Sequence, residues 1–461
     1  MMHYRLAKCV WGNDYVNRML EWNIPSLSAD GNLPAFLRRH PVEHVIYTTR
    51  ADAERIERHP AYRTLADKVP SRIDIAIGSG DRQLYGGAIS RMNEAHQRIL
   101  ADCRADGATW LFDQPDHVWA DGSLGTLAEA VGDGTRCILF AGLKTALEEM
   151  IPQLGRFRSE DGAVLSVSPE DLLEAALDCL HRHDMVRFWK GPEGTSWPHH
   201  VAWRAGRTAF VRRTFMPQPF VIPPTGEAVV AKRSLDWDFL ESAFPDMADI
   251  SFIEDSRHFL VAEMTPGALH QESKGTPVDV ASVGTFAACI ASPYQERCFR
   301  TPIVYGGWTV SDRRMRRVLD YSRRCREAAD LFARHNRVLK ELGPDFPQLA
   351  DILSAVLRDA KLFSALRVPA EATFLLPEGR SVSHLSGRDP GSVMQVVMDH
   401  TVAGDWPLAR LREAGKAAAL SGRIWSIGTA DTRTSVDGVP IERPDILCAG
   451  FRFHALAQRT G

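Results

Sequence analysis

The sequence predicts an α/β protein: a mostly parallel sheet flanked by helices, with a C-terminal helical and mixed α/β extension. Three observations predict it. Short apolar runs alternate with stretches of helical period through the first 145 residues, the pattern of βαβ units. Several of these runs are rich in β-branched and aromatic residues, as in EHVIYTTR, which suits strands. Finally, Asp113, Asp116 and Asp121 crowd the segment LFDQPDHVWADGSL just after one such run, where sheets of this kind bind ligands.

Taken in order, YRLAKCVWG at 4–12 is the first expected strand, and a helical pattern follows over 14–28 until GNLPAF interrupts it. EHVIYTTR at 43–50 is the second strand. The amphipathic segment after it breaks at Pro60, because proline lacks the donor a helix interior needs. SRIDIAIG at 71–78 is the third strand, followed by the loop GSGDRQLYGG. In 88–107 the apolar positions Ile89, Met92, Ala95, Ile99 and Cys103 recur at three- and four-residue steps, a helix signal. ATWLF at 108–112 is the fourth strand, GTLAEAVGDG starts a helix, and TRCILFAGLKT at 135–145 is the fifth strand.

Further on, Ser168 is a sound N-cap for a helix over 168–183, with Glu170 and Asp171 in its first turn. Residues 186–236 are aromatic and proline-rich and read as a long shaped loop with short strands. Two strand-like runs occupy 250–266. Residues 311–366 are helical in two or three pieces, with a break at Pro344 and Pro347, and DILCAGFRFHAL is expected as a closing strand. The expected domains are 1–270, 271–370 and 371–461.

The charges nearly balance, with 55 basic and 58 acidic residues, so nothing draws the chain generally to nucleic acid or anionic lipid. The arginines of 313–327 alternate with apolar residues at helical spacing and read as a solvated amphipathic face. No run reaches the roughly 18–20 apolar residues of a membrane span, and the N-terminus lacks a secretory pattern. The eight cysteines show no zinc-knuckle spacing and read as buried reduced thiols. A cytoplasmic protein is expected.

Asp121 precedes a helix and suits a capping turn. Asp113 and Asp116 flank Pro115 at a strand terminus. Two such carboxylates can share one hard divalent cation, Mn2+ or Mg2+, which would neutralise charge building on a diphosphate.

The stretches PSLSADGN, EHVIYTTRADAERI and WLFDQPDHVWADGSLGTL make residues 4–145 resemble the nucleotide-diphospho-sugar transferases of the GT-A fold. Their acids follow a DxxD rather than a DxD spacing. The resemblance implies a GT-A-like sheet and a glycosyltransferase that moves a sugar from a nucleotide-diphosphate donor to a glycan, lipid-linked or small-molecule acceptor. Under it, Val10, Trp11 and Gly12 approach the nucleotide, Tyr15 stacks on the base, and Thr48, Thr49 and Arg50 lie nearby. Asp113 contacts cation and donor, with Asp116 as a second metal ligand. Trp11 and Tyr15 are also readable as ordinary core aromatics, and Arg50 as a surface ion-pair partner.

An acceptor wall would come from TSWPHHVAWR, where Trp197 and Trp203 offer flat faces to a sugar and His199 or His200 binds metal or acts as a base. Asp236, Asp238 and Asp255 are all eligible to take the acceptor proton, with Asp255 preferred for its place between strand-like segments. Lys232 and Arg233 could offset diphosphate charge. The rival from another class is a non-catalytic scaffold that kept the sheet and lost the motif. A nucleotidyltransferase expects a Gly-rich basic loop after the first strand, and VWGNDYVNR has one glycine and no lysine.

Overall fold

A computed structural model describes residues 3–77, 85–131, 136–224, 234–269, 274–308, 310–342, 372–376, 390–430, 433–437, 439–449 and 451–456. The chain is mixed α/β and divides into two compact units, Met1–Val278 with Ser292–Arg323, and Asp279–Ala291 with Arg324–Gly461. This division differs from the three consecutive domains expected, because one uninterrupted helix, Asp312–Leu342, contributes residues to both units. The break expected at Pro344 and Pro347 lies outside the described residues.

The main sheet of the first unit has seven strands: β1 (His3–Cys9), β2 (Val42–Thr48), β3 (Ser71–Ile75), β4 (Ala108–Phe112), β5 (Cys137–Phe140), β6 (Gln218–Ile222) and β7 (Ile250–Phe252). Their order is β7-β5-β6-β4-β1-β2-β3. Neighbours run parallel, except that β6 is antiparallel to both β4 and β5. Strand alternation explains the two cores. Tyr4, Leu6, Val10, Ile46 and Leu111 belong to one cluster, while Ala7, Cys9, Val45, Tyr47, Trp110 and Phe112 belong to another, since successive side chains face opposite sides.

The helical pattern after β1 is one run through Asn13–Arg18, Met19–Asn23 and Ile24–Leu27. Its middle piece is a π-helical turn, a feature often found at functional sites. The fifth expected strand divides in two: β5 joins the main sheet, while Leu143–Ala146 turns into a second sheet with His117–Trp119 and Val261–Thr265. A third sheet carries His200–Arg204, Phe210–Thr214 and Ile303–Tyr305.

The second unit contains a seven-stranded sheet. The expected closing strand is instead a hairpin, because Val439–Cys448 and Phe451–Leu456 pair antiparallel about a turn in which Ala449 adopts φ 50°. No helix among the described residues is long and apolar enough to cross a membrane. All eight cysteines are free thiols, and all but Cys289 are buried.

Candidate functional site

Lys8 lies on β1 among apolar residues, and its side chain is fully buried. Its ammonium pairs with Asp113 at the end of β4 and donates to Asn23 Oδ1. Asn23 in turn donates to both Asp113 oxygens at 3.2 Å, and Trp119 Nε1 donates to Oδ1 at 3.0 Å. Burial alone would raise the Asp113 pKa, but the Lys8 charge reverses this and holds the carboxyl well below its ordinary value. Burial lowers the Lys8 pKa in return.

Asp113 is therefore satisfied from within. Lys8 already neutralises Asp113, so this carboxylate is not left free for the Mn2+ or Mg2+ expected between Asp113 and Asp116. Asp113 is likewise enclosed away from any donor.

Asp116, three residues later, has a different neighbourhood. Strand register assembles it. Glu263 stands opposite His117 on one side and Lys144 on the other, and Lys144 Nζ reaches Glu263 Oε1 at 2.9 Å. The Met264 N–H donates to the Asp116 carbonyl at 2.9 Å. Burial and the nearby Glu263 charge raise the Asp116 pKa, while Lys144 and Arg18 act against them. Glu263 itself is held low, since its burial is outweighed by Lys144.

Arg18, 8% exposed, lies with its guanidinium 4.6 Å from the Tyr15 ring centroid. Its buried Nη1 has no hydrogen-bond partner among the described residues. Asp236 faces the same charges: burial raises its pKa and Glu263 adds to this, while a hydrogen bond from Ser234 and the Lys144 charge act against them. The helix after β1 and the acids after β4 thus meet at the carboxyl ends of the strands, in a tract of alternating charge.

A raised carboxyl penalises folding wherever the unfolded chain would ionise first. Asp116→Asn is therefore expected to stabilise the protein at pH 7, by on the order of 1.4 kcal/mol for each pK unit relieved. The gain should vanish as pH falls through the ordinary carboxylate range, where the carboxyl is protonated in both states. Urea titrations at pH 7 and pH 4 check this; equal effects at both would contradict it.

Beyond Lys144, the same tract meets a histidine cluster. The Lys144 N–H donates to Asp184 Oδ2 at 3.2 Å, and Arg212 Nη2 donates to the same oxygen at 2.6 Å. Asp184 Oδ1 lies 3.0 Å from His183 Nδ1 and 3.3 Å from His200 Nε2. These three side chains form a group able to hold a metal ion. His199, the expected ligand, is set aside: its Nδ1 lies against the Trp197 carbonyl at 3.3 Å, and the neighbouring His200 faces Asp184 instead.

The remaining expected residues are dispersed. Tyr15 is exposed beside Arg18. Trp11 packs against the second core cluster. Thr48 is buried and donates to the Val10 carbonyl at 2.7 Å, and Thr49 caps the helix that begins at the exposed Arg50. Trp197 stacks on Trp237 with centroids 5.8 Å apart. Trp203 stacks on Trp189 at 5.4 Å and lines a pocket of 490 Å³ with Lys190, Glu193, Arg204 and Tyr321.

Asp238 accepts from the Ser234 N–H at 3.4 Å. Asp255, the preferred base, is tied to Arg257 at 2.6 Å and accepts its N–H at 2.9 Å. Burial favours raising the Asp255 pKa, but these bonds lower it, so it is a turn-forming acid. Asp121 does serve a turn, accepting from Gly31 N–H at 2.9 Å and from Ser166. Lys232 and Arg233 lie outside the described residues.

Sequence reasoning missed Lys8, Arg18, Lys144, Asp184, Arg212 and Glu263. A signal was present for several. Lys8 in RLAKCV, Glu263 in LVAEMT and Arg212 in FVRRTF each interrupt an apolar strand, and a charge buried in a strand requires a partner.

No family model matches the chain, and no curated protein matches it. Among solved structures, the FAS1 domain pair of the insect cell adhesion molecule Fasciclin I aligns over 24% of this chain and 44% of its own length, at 12% identity and a TM-score of 0.20. The chain thus spans less than half of that structure, and so low a similarity carries no argument.

Proposed function

We propose that the first unit is a glycosyltransferase-like enzyme related in fold to the GT-A transferases, binding a nucleotide-diphosphate sugar at the carboxyl ends of β1 and β4. The observation that carries this reading is Arg18: a largely buried guanidinium with an unpartnered nitrogen, beside an exposed tyrosine and a carboxylate of raised pKa. A diphosphate would satisfy that nitrogen, and a base would stack on Tyr15. Arg18 and Lys144 supply positive charge that the expected cation would otherwise provide. Asp116 and Asp236, both with raised pKa, are suited to take the proton of an acceptor hydroxyl. The mostly parallel sheet supports the reading, since such sheets bind ligands at this edge.

A second reading, a non-catalytic scaffold, is favoured by the consumption of Asp113 in an internal ion pair. Thermal-shift titration with UDP-, GDP-, CMP- and TDP-sugars, with and without Mn2+, separates the two. An enzyme is expected to show a rise with one nucleotide class that persists without Mn2+. Arg18→Ala should weaken that binding about tenfold or more, as a charged hydrogen bond is worth about 1.5–3 kcal/mol. If no nucleotide sugar shifts the protein, the scaffold stands.

A further inference from the structure

We propose that His183 Nδ1, Asp184 Oδ1 and His200 Nε2 form a binding site for one divalent transition-metal ion, zinc foremost, distinct from the aspartates after β4. Spacing is the first argument. A tetrahedral ion with bonds of about 2.0–2.2 Å holds its ligands roughly 3.3–3.6 Å apart. Oδ1 lies 3.0 and 3.3 Å from the two ring nitrogens, and one ligand atom from each of the three residues lies within 4.8 Å of the others. Only small adjustments would seat an ion among them.

The second argument is an orphaned atom. His200 Nε2 is buried and makes no well-aligned hydrogen bond, although a carboxylate oxygen lies 3.3 Å away. A nitrogen aimed at a carboxylate without hydrogen-bond alignment suits two ligands that converge on a third body.

The outer partners are in place as well. Arg212 and the Lys144 N–H hold Asp184 Oδ2, which orients Oδ1 toward the histidines in the manner of a supporting shell. Two imidazoles and one carboxylate select a borderline transition metal over Mg2+. Three protein ligands also leave a fourth position for water or another ligand, the pattern of catalytic zinc sites.

The full chain, stripped with a chelator and dialysed, would be titrated with Zn2+ by calorimetry, and with Co2+ while visible absorption is recorded. One equivalent per chain is expected, with the intense visible bands of tetrahedral Co2+. His183→Gln and His200→Gln should each lose affinity by more than the roughly 10–100-fold that removing an outer partner costs, and should lose the Co2+ bands. His96→Gln, which alters a buried histidine on the helix Tyr85–Ala105, should keep both.

Circular dichroism identifies any variant that fails to fold, and the wild-type Co2+ spectrum then decides. No wild-type binding, or binding unchanged in both ligand variants, would overturn the proposal and leave Asp184 and Arg212 as a metal-free ion pair. Because the readout is metal alone, the result is independent of any nucleotide-sugar activity.

Discussion

Lys8→Met should destabilise the first unit by about 3–5 kcal/mol at neutral pH, the usual cost of leaving one member of a buried ion pair unpaired. Methionine keeps the length and apolar stem of lysine, so little packing is lost. What remains is a carboxylate at Asp113, 1% exposed, facing Asn23, Trp119 and the His117 ring but no lysine. The sign with pH follows from the depressed Asp113 pKa. In the wild type this acid contributes stability above the ordinary carboxylate range and loses it as pH falls. In the variant the carboxyl takes up a proton more readily, so the gap between the two proteins should narrow toward pH 4. Adding Asp113→Leu should recover much of the loss, since exchanging an entire buried pair for apolar groups is often neutral. Urea unfolding at pH 7 and pH 4 measures all three. A Lys8→Met protein within about 1 kcal/mol of wild type would show that the pair carries no such weight.

Arg212→Met should cost a similar amount, about 3–5 kcal/mol, for the same reason at a second place. Arg212 is 3% exposed. It bonds Asp184 Oδ2 at 2.6 Å and the Gly142 carbonyl at 2.7 Å, and lies 5.3 Å from the Tyr305 ring centroid. Removing it strands both the buried carboxylate and a carbonyl. The measurement belongs in chelator, so that no ion can compensate Asp184. Asp184→Asn should cost less, because an amide oxygen can still accept the Lys144 N–H and the guanidinium. Equal losses in the two variants would mean that shape rather than charge governs the site.

These two pairs show why the sequence exposed some of the protein and hid the rest. The strand ATWLF, the helix break at Pro60 and the cap at Ser168 are local matters, decided by side-chain period, proline geometry and short-range hydrogen bonds. Each was legible at its place in the chain. The fifth strand was not legible as two, because its division reflects which neighbours pair with each half.

The same limit governs the site. Asp113 and Asp116 look equivalent in LFDQPD, yet one is neutralised by Lys8, 105 positions earlier in the chain, and the other meets Glu263 from a strand nearly 150 positions later. His199 and His200 are adjacent, yet of the two only His200, the first residue of its strand, brings a ring nitrogen to Asp184. Residue chemistry and local conformation could be read from the chain alone: an α/β protein with acids after a strand and histidines among tryptophans. Which of those charges neutralise one another depends on the packed fold. A carboxylate's role is set by the groups within a few ångströms of it, and strand register brings those groups from distant parts of the chain.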